Sequence, residues 1–275
     1  MMPGLGDNLK RWRDQAEVDW FSQFIKAWIP FNAWMTDTFG DLSDRALLDK
    51  VKTEGNVVKN KTLPMLAKNL KVAHDAEGGW QDDSNDAQEF RLQVGELNRH
   101  LQQCIIEGRK GRVCFETVDI GWNANKDEQL TKWKRQFRCR RDHPNKGEVH
   151  LEISASKTVA AFALTLPKHD RPTLEDDQMF RALKPDQRAL LIGMFEAVSP
   201  RIVISVLAGH GAQKVLTYGD ADFMDDAGKN FSALIDVIYG LRNALFHGQI
   251  TPNETHNEIY KPAYLIAMRL VKCTL

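Results

Sequence analysis

Long apolar stretches are missing from this 275-residue chain. The longest candidate, Ile202-Val203-Ile204-Ser205-Val206-Leu207-Ala208, falls far short of the roughly 18 residues a membrane span requires. An excess of either charge is missing too, since Lys+Arg and Asp+Glu each total 37. That balance excludes a uniformly basic nucleic-acid coat and an acidic disordered tail. Cysteine is scarce, and Cys104, Cys114, Cys139 and Cys273 form no C-x-x-C pair. A disulfide framework is therefore excluded, and reduced, mostly buried thiols are expected. The opening residues Met1–Asp7 hold no apolar segment of a secretory leader. Together these absences predict a cytoplasmic globular protein with no membrane contact.

Both ends of the chain carry helical periodicity. Trp12, Trp20, Phe21, Phe24, Ile25, Trp28, Phe31 and Trp34 recur at helix-like spacing over 8–39, with Pro30 expected to kink or restart the helix. Asp41 and Ser43 cap a shorter helix to about Lys52, Leu63–Val72 is a third, and Ser84–Glu107 is a long fourth. After Gly108 the texture turns β-like at Val113–Ile120, Glu148–Ile153 and Val159–Leu166, while Lys126–Arg138 fits either a helix or a hairpin arm. Helices are expected again over Thr173–Leu183, Asp186–Val198, from Pro200 to about Ala208, Asp225–His247 and Glu254–Cys273. The expected fold is mainly α: a bundle formed by the N-terminal helices of 1–108 and the C-terminal helices of 172–275. A basic, partly β insertion at 109–171 interrupts it.

On a helical wheel, Phe231, Ile235, Ile238, Leu245 and Phe246 fall within roughly 60° of one direction. Arg242 lies in the middle of that stripe. A guanidinium stays charged, so its burial there requires a carboxylate, a phosphate or water. Asp236, Gly240, Asn243 and His247 share a second face, and Asn243 is one turn from His247, close enough to orient its ring. Gly248 supplies a left-handed helix cap. A bland reading, in which Arg242 pairs with a core acid and His247 only caps, fits the wheel equally well.

Arg242-Asn243-Ala244-Leu245-Phe246-His247 resembles the R-x4-6-H signature of the HEPN superfamily, including the polar residue after the arginine. Trp28-Ile29-Pro30-Phe31-Asn32-Ala33-Trp34 is similar to the aromatic-rich first helix of larger HEPN proteins. The resemblance implies a metal-independent endoribonuclease with no cofactor. His247 would act in acid–base catalysis, Arg242 would hold the phosphate, and Asn243 would support His247 or contact the phosphate. It further implies a homodimer with a composite active site, and a role in antiviral defence or as a growth-arrest toxin with a regulatory or antitoxin protein partner. Gln249 stands where toxins controlled by a nucleotidyltransferase commonly carry tyrosine, which argues against that form of control. An HEPN-like module that binds RNA, nucleotide or protein without cutting is the alternative.

Residues 109–146 hold eleven basic residues against five acids, with Trp122, Trp133 and Phe137 interleaved. Lys132, Lys134, Arg135, Arg138, Arg140 and Arg141 are the candidate RNA contacts, through phosphate attraction and base stacking. A solvated basic face is the plain alternative. Cys114, Cys139, His143, His150 and His169 lack a second matched ligand pair, so a zinc-stabilised regulatory domain is the weaker rival and no metal is assigned. The neutral total thus hides a local excess of +6 over 109–146, offset by acids near 75–89 and 220–226.

Overall fold

The computed structural model describes residues 18–67, 85–108, 111–142, 147–156, 159–209, 212 and 214–275. Residues 8–17 of the first expected helix, 68–72 of the third and 73–84 lie outside these residues, as do Arg109, Lys110, His143 and Lys146.

The chain forms two compact units, one from residues up to Ile120 and from Ile204 onward, the other from Gly121–Val203. The first unit holds α1 (Trp20–Phe39), α2 (Asp44–Thr53), α3 (Val57–Leu66) and α4 (Asn85–Gln103). Its later elements are the hairpin β1 (Glu107–Gly108)–β2 (Gly111–Arg112), the hairpin β9 (Val215–Tyr218)–β10 (Ala221–Met224), α8 (Ala227–Phe246) and α9 (Glu254–Cys273). The second holds β4 (Asp127–Lys132), β5 (Arg135–Arg141), β6 (Val149–Ser156) and β7 (Val159–Leu166), then α5 (Arg171–Asp176), α6 (Gln178–Arg181) and α7 (Pro185–Ala197). The unit boundary falls within β3 (Val118–Trp122) and β8 (Arg201–Ile204), which pair with each other.

This corrects the expected mainly α bundle with a partly β insertion at 109–171. Just over half of the structure is helical and about a fifth is strand, distributed over four sheets among the described residues. The second unit also extends past residue 171 to include three helices. Three local features account for the difference. The β-branched run Ile202-Val203-Ile204 pairs as β8 instead of continuing a helix from Pro200. Residues 127–141 form a hairpin, resolving the ambiguity over Lys126–Arg138. The short β9–β10 hairpin turns at Gly219, whose φ is 57°, in a stretch where no strand is expected.

Helix signals at the chain ends act as their chemistry dictates. Asp19, Ser43, Asn56, Asp226 and Asn253 each accept a hydrogen bond from a first-turn backbone N–H. Pro30 does not restart α1, which runs unbroken to Phe39. Pro30 is exposed, so the carbonyl its ring deprives of a partner can bond to water. Pro64 sits in the last turn of α3 and not at a helix start.

The first unit's core joins Phe24, Trp28 and Phe31 of α1, Phe90 and Leu97 of α4, Phe231, Ile235 and Ile238 of α8, and Tyr260 of α9. Tyr260 donates to Leu241 O at 2.8 Å, tying α9 to α8. Gly95 lets α4 meet β9 backbone to backbone, since a Cβ there would lie 2.1 Å from Tyr218 O.

The second unit is built on an antiparallel sheet in the order β4-β5-β6-β7. Phe137 and Cys139 of β5, with Val149, Leu151 and Ile153 of β6, face a core shared with Leu174, Phe180, Leu191 and Phe195. Alternation along each strand places Arg138, Arg140, His150 and Glu152 on the other face. Among the described residues no helix is long and apolar enough to cross a membrane.

Candidate active site

Two cap signals define the ends of α8. Asp226 starts the helix by accepting from Lys229 N at 3.0 Å, and Gly248 follows its end at φ 64°. His247 is the C-cap, its backbone N–H donating to Asn243 O at 3.0 Å. The wheel holds for the first three turns, where Phe231, Ile235 and Ile238 are buried, but the apolar stripe then leaves the core, and Phe246 is 51% exposed. Arg242 therefore sits at the edge of the core and not within it.

The Arg242 guanidinium is half-buried and held from several sides. Nη2 lies 3.1 Å from Asp44 Oδ2, and Nη1 donates to Asn243 Oδ1 at 2.9 Å. The guanidinium carbon stands 4.4 Å from the Phe246 ring centroid and 5.9 Å from that of Trp28. Its Nε is buried without a hydrogen-bond partner among the described residues. Ser43 caps α2 and so fixes Asp44 in the first turn, where the helix dipole favours a carboxylate.

Asn243 thus supports Arg242 and not His247. The His247 side chain is exposed, and no described residue hydrogen-bonds its ring. Because the helix stays regular to Phe246, Arg242 and His247 diverge by roughly 140° about its axis. The structure joins Arg242 with Asn243 and leaves the His247 ring exposed.

Next to this site lies an ionic cluster that sequence reasoning missed. Arg45 pairs with Asp236 at 2.7 Å, with Asp119, and with Asp49 at 3.8 Å. Lys52 Nζ donates to Asp119 O at 2.6 Å and to Asp236 Oδ1 at 3.2 Å, and Asp119 N donates to Asp236 Oδ2 at 2.9 Å. Burial pulls the Lys52 ammonium below its ordinary pKa, opposed by the Asp236 charge. Burial works against ionisation of Asp236, yet Lys52 and Arg45 outweigh it and hold that carboxyl below its ordinary value of 3.8. One signal was available: an aspartate amid the apolar residues of α8 demands a buried partner.

In the second unit, the basic run is divided by its own alternation. Lys132, Lys134 and Arg135 are exposed at the β4–β5 turn. Arg138 pairs with Asp127, donating from Nε at 2.9 Å, and Arg140 lies 3.3 Å from Asp142, so the outer face carries its own acids. Arg141 is buried: Nε donates to Val198 O at 2.8 Å, and Nη2 to Asn123 O and Asn125 O at 3.0 and 3.1 Å. Phe137 is also buried, leaving Trp133 as the exposed aromatic of the turn.

The residues considered for zinc are separated. Cys139 faces the sheet's core, where burial pushes its thiol up to about 12, whereas His150 faces the opposite side. His169 Nε2 bonds Phe195 O at 2.8 Å, and His143 lies outside the described residues. His150 instead meets Asp142 at 2.9 Å and Thr165 at 3.0 Å, near Glu148. Those hydrogen bonds account for its position on the sheet surface.

The chain matches no protein-family model, no curated protein and no solved structure.

Proposed function

We propose that the chain is a metal-independent endoribonuclease of the HEPN type that works as a homodimer. The observation carrying this reading is the end of α8. There a half-buried arginine with an unpartnered Nε and an exposed histidine stand five residues apart before a left-handed glycine. In the reaction, a ribose 2′-oxygen bonds to the adjacent phosphorus and the bond to the 5′-oxygen breaks, leaving a 2′,3′-cyclic phosphate and a 5′-hydroxyl. His247 accepts the 2′-OH proton or donates one to the departing oxygen, while Arg242 binds the phosphoryl oxygens. Since one straight helix cannot turn both side chains to one phosphate, two apposed α8 ends share the work. Lys132, Lys134 and Arg135 contribute the RNA affinity of the second unit. Its composition and scattered cysteines support a cytoplasmic site of action, and the resemblance supports a role in antiviral defence or growth arrest with a regulatory or antitoxin protein partner.

One observation favours a second reading, an HEPN-like module that binds without cutting: the Asp44 carboxylate already occupies one edge of Arg242. Mixing separately inactive Arg242→Ala and His247→Ala proteins tests the shared site. Heterodimers that regain part of the wild-type cleavage support it, whereas wild-type protein that binds RNA without cleaving supports the module.

A further inference from the structure

The β4–β5 turn is built against its own backbone preference. Lys132 and Arg135 are the last paired residues, so Trp133 and Lys134 alone make the turn, with φ of 54° and 59°. Two-residue turns with both φ positive favour Asn-Gly, because a bulky side chain crowds the left-handed region. A tryptophan there is disfavoured locally, and such residues concentrate where a side chain must be presented. Trp133 is 49% exposed, with Lys132 Nζ 4.6 Å from its ring centroid and Phe137 against it edge-on at 5.9 Å. Lys132, Lys134 and Arg135 surround it, while the basic residues further along β5 are neutralised or buried.

We infer that Trp133 is a base-stacking residue of a single-stranded RNA site at this turn, the flanking cations holding the phosphates on either side of the stacked base. The inference rests on the RNA reading above and adds the unpaired state of the strand and the residue that senses it. One exposed ring offers little apolar area to a bilayer. The turn therefore favours nucleic acid over a lipid surface, because a strand offers one flat base between two anionic groups.

The test uses the full chain and a 2′-O-methyl oligouridylate, which lacks the attacking hydroxyl, titrated by fluorescence anisotropy at several salt concentrations. Trp133→Asn keeps every cation and suits a positive φ. It is expected to weaken binding between about fivefold and a hundredfold, with the salt slope unchanged. Lys134→Ala is expected to reduce the slope by about 0.7, and Trp133→Phe to restore part of the affinity. A Trp133→Asn protein that binds as wild type does would overturn the inference and leave the RNA reading intact. Wild-type protein that binds phosphatidylserine vesicles and not the oligonucleotide would overturn it in favour of a membrane contact. Wild-type protein that cleaves RNA but shows no affinity for the oligonucleotide would overturn this site alone; neither cleavage nor affinity would remove both readings.

Discussion

Asp44 Oδ2 lies 3.1 Å from Arg242 Nη2, while the next residue, Arg45, pairs with Asp236 on the same helix at 2.7 Å. Two adjacent residues of opposite charge on α2 thus hold two residues of opposite charge on α8. The two pairs differ in depth. Asp236 belongs to a cluster containing fully buried Lys52, whereas Asp44 is one-third exposed. The inner pair fixes the helix, and the outer pair occupies the guanidinium proposed to bind phosphate.

Exchange at the outer pair predicts a gain from Asp44→Asn. Removing the carboxylate frees Nη2 for phosphate, so KM for RNA falls and kcat/KM rises severalfold. A half-exposed ion pair contributes at most about 1 kcal/mol, so thermal stability changes little. Steady-state cleavage with a melting curve checks both, and a large loss of activity would assign Asp44 to orienting Arg242 instead.

Arg242→Lys keeps the charge but loses the planar fork and the contact with Phe246. Activity is expected to fall about 100-fold or more, with a Tm close to that of wild type. Unchanged activity would show that a point charge suffices there.

Stability at low pH is expected to depend on Asp236. Its folded pKa is depressed, so its contribution is complete above the ordinary carboxylate value of 3.8 and is lost as pH falls through the lower folded value. Asp236→Asn should lose on the order of 3 kcal/mol at neutral pH and flatten the decline below about pH 4. Denaturant titrations at several pH values measure both effects; a variant as stable as wild type at pH 7 would contradict the assignment.

Gly95→Ala should destabilise the first unit by about 1–3 kcal/mol, because the new methyl would meet the Tyr218 carbonyl. Helix propensity alone predicts the opposite sign, a gain of roughly 1 kcal/mol. Chemical denaturation decides between them.

The long helices were legible because local chemistry marks them. Asp226 and Gly248 bracket α8, Asn253 opens α9, and Ser43 opens α2. Strands β6 and β7 were equally plain from their β-branched and apolar residues. The β4–β5 hairpin was not, because Trp133-Lys134 conceals a turn that Asn-Gly would have announced. Likewise the Ile202–Ile204 run reads as helix or strand until its partner β3 is known. At the candidate site, the wheel set Arg242 in the middle of the apolar stripe, whereas the structure puts it at the core's edge because the stripe leaves the core before Phe246. Asp44 carried no mark of its destination, because a first-turn acid satisfies its own helix dipole and its second partner depends on tertiary packing. Arg141 was indistinguishable from its basic neighbours until strand alternation turned it inward.

Incubation of purified wild-type and His247→Ala protein with RNA in EDTA, with product ends identified, decides whether the chain is a ribonuclease. Wild-type protein is expected to cleave and leave 2′,3′-cyclic phosphate ends, and His247→Ala protein that melts as wild type does is expected to lose that cleavage. Equal cleavage by both proteins, or none by either, would contradict the proposed reaction at His247.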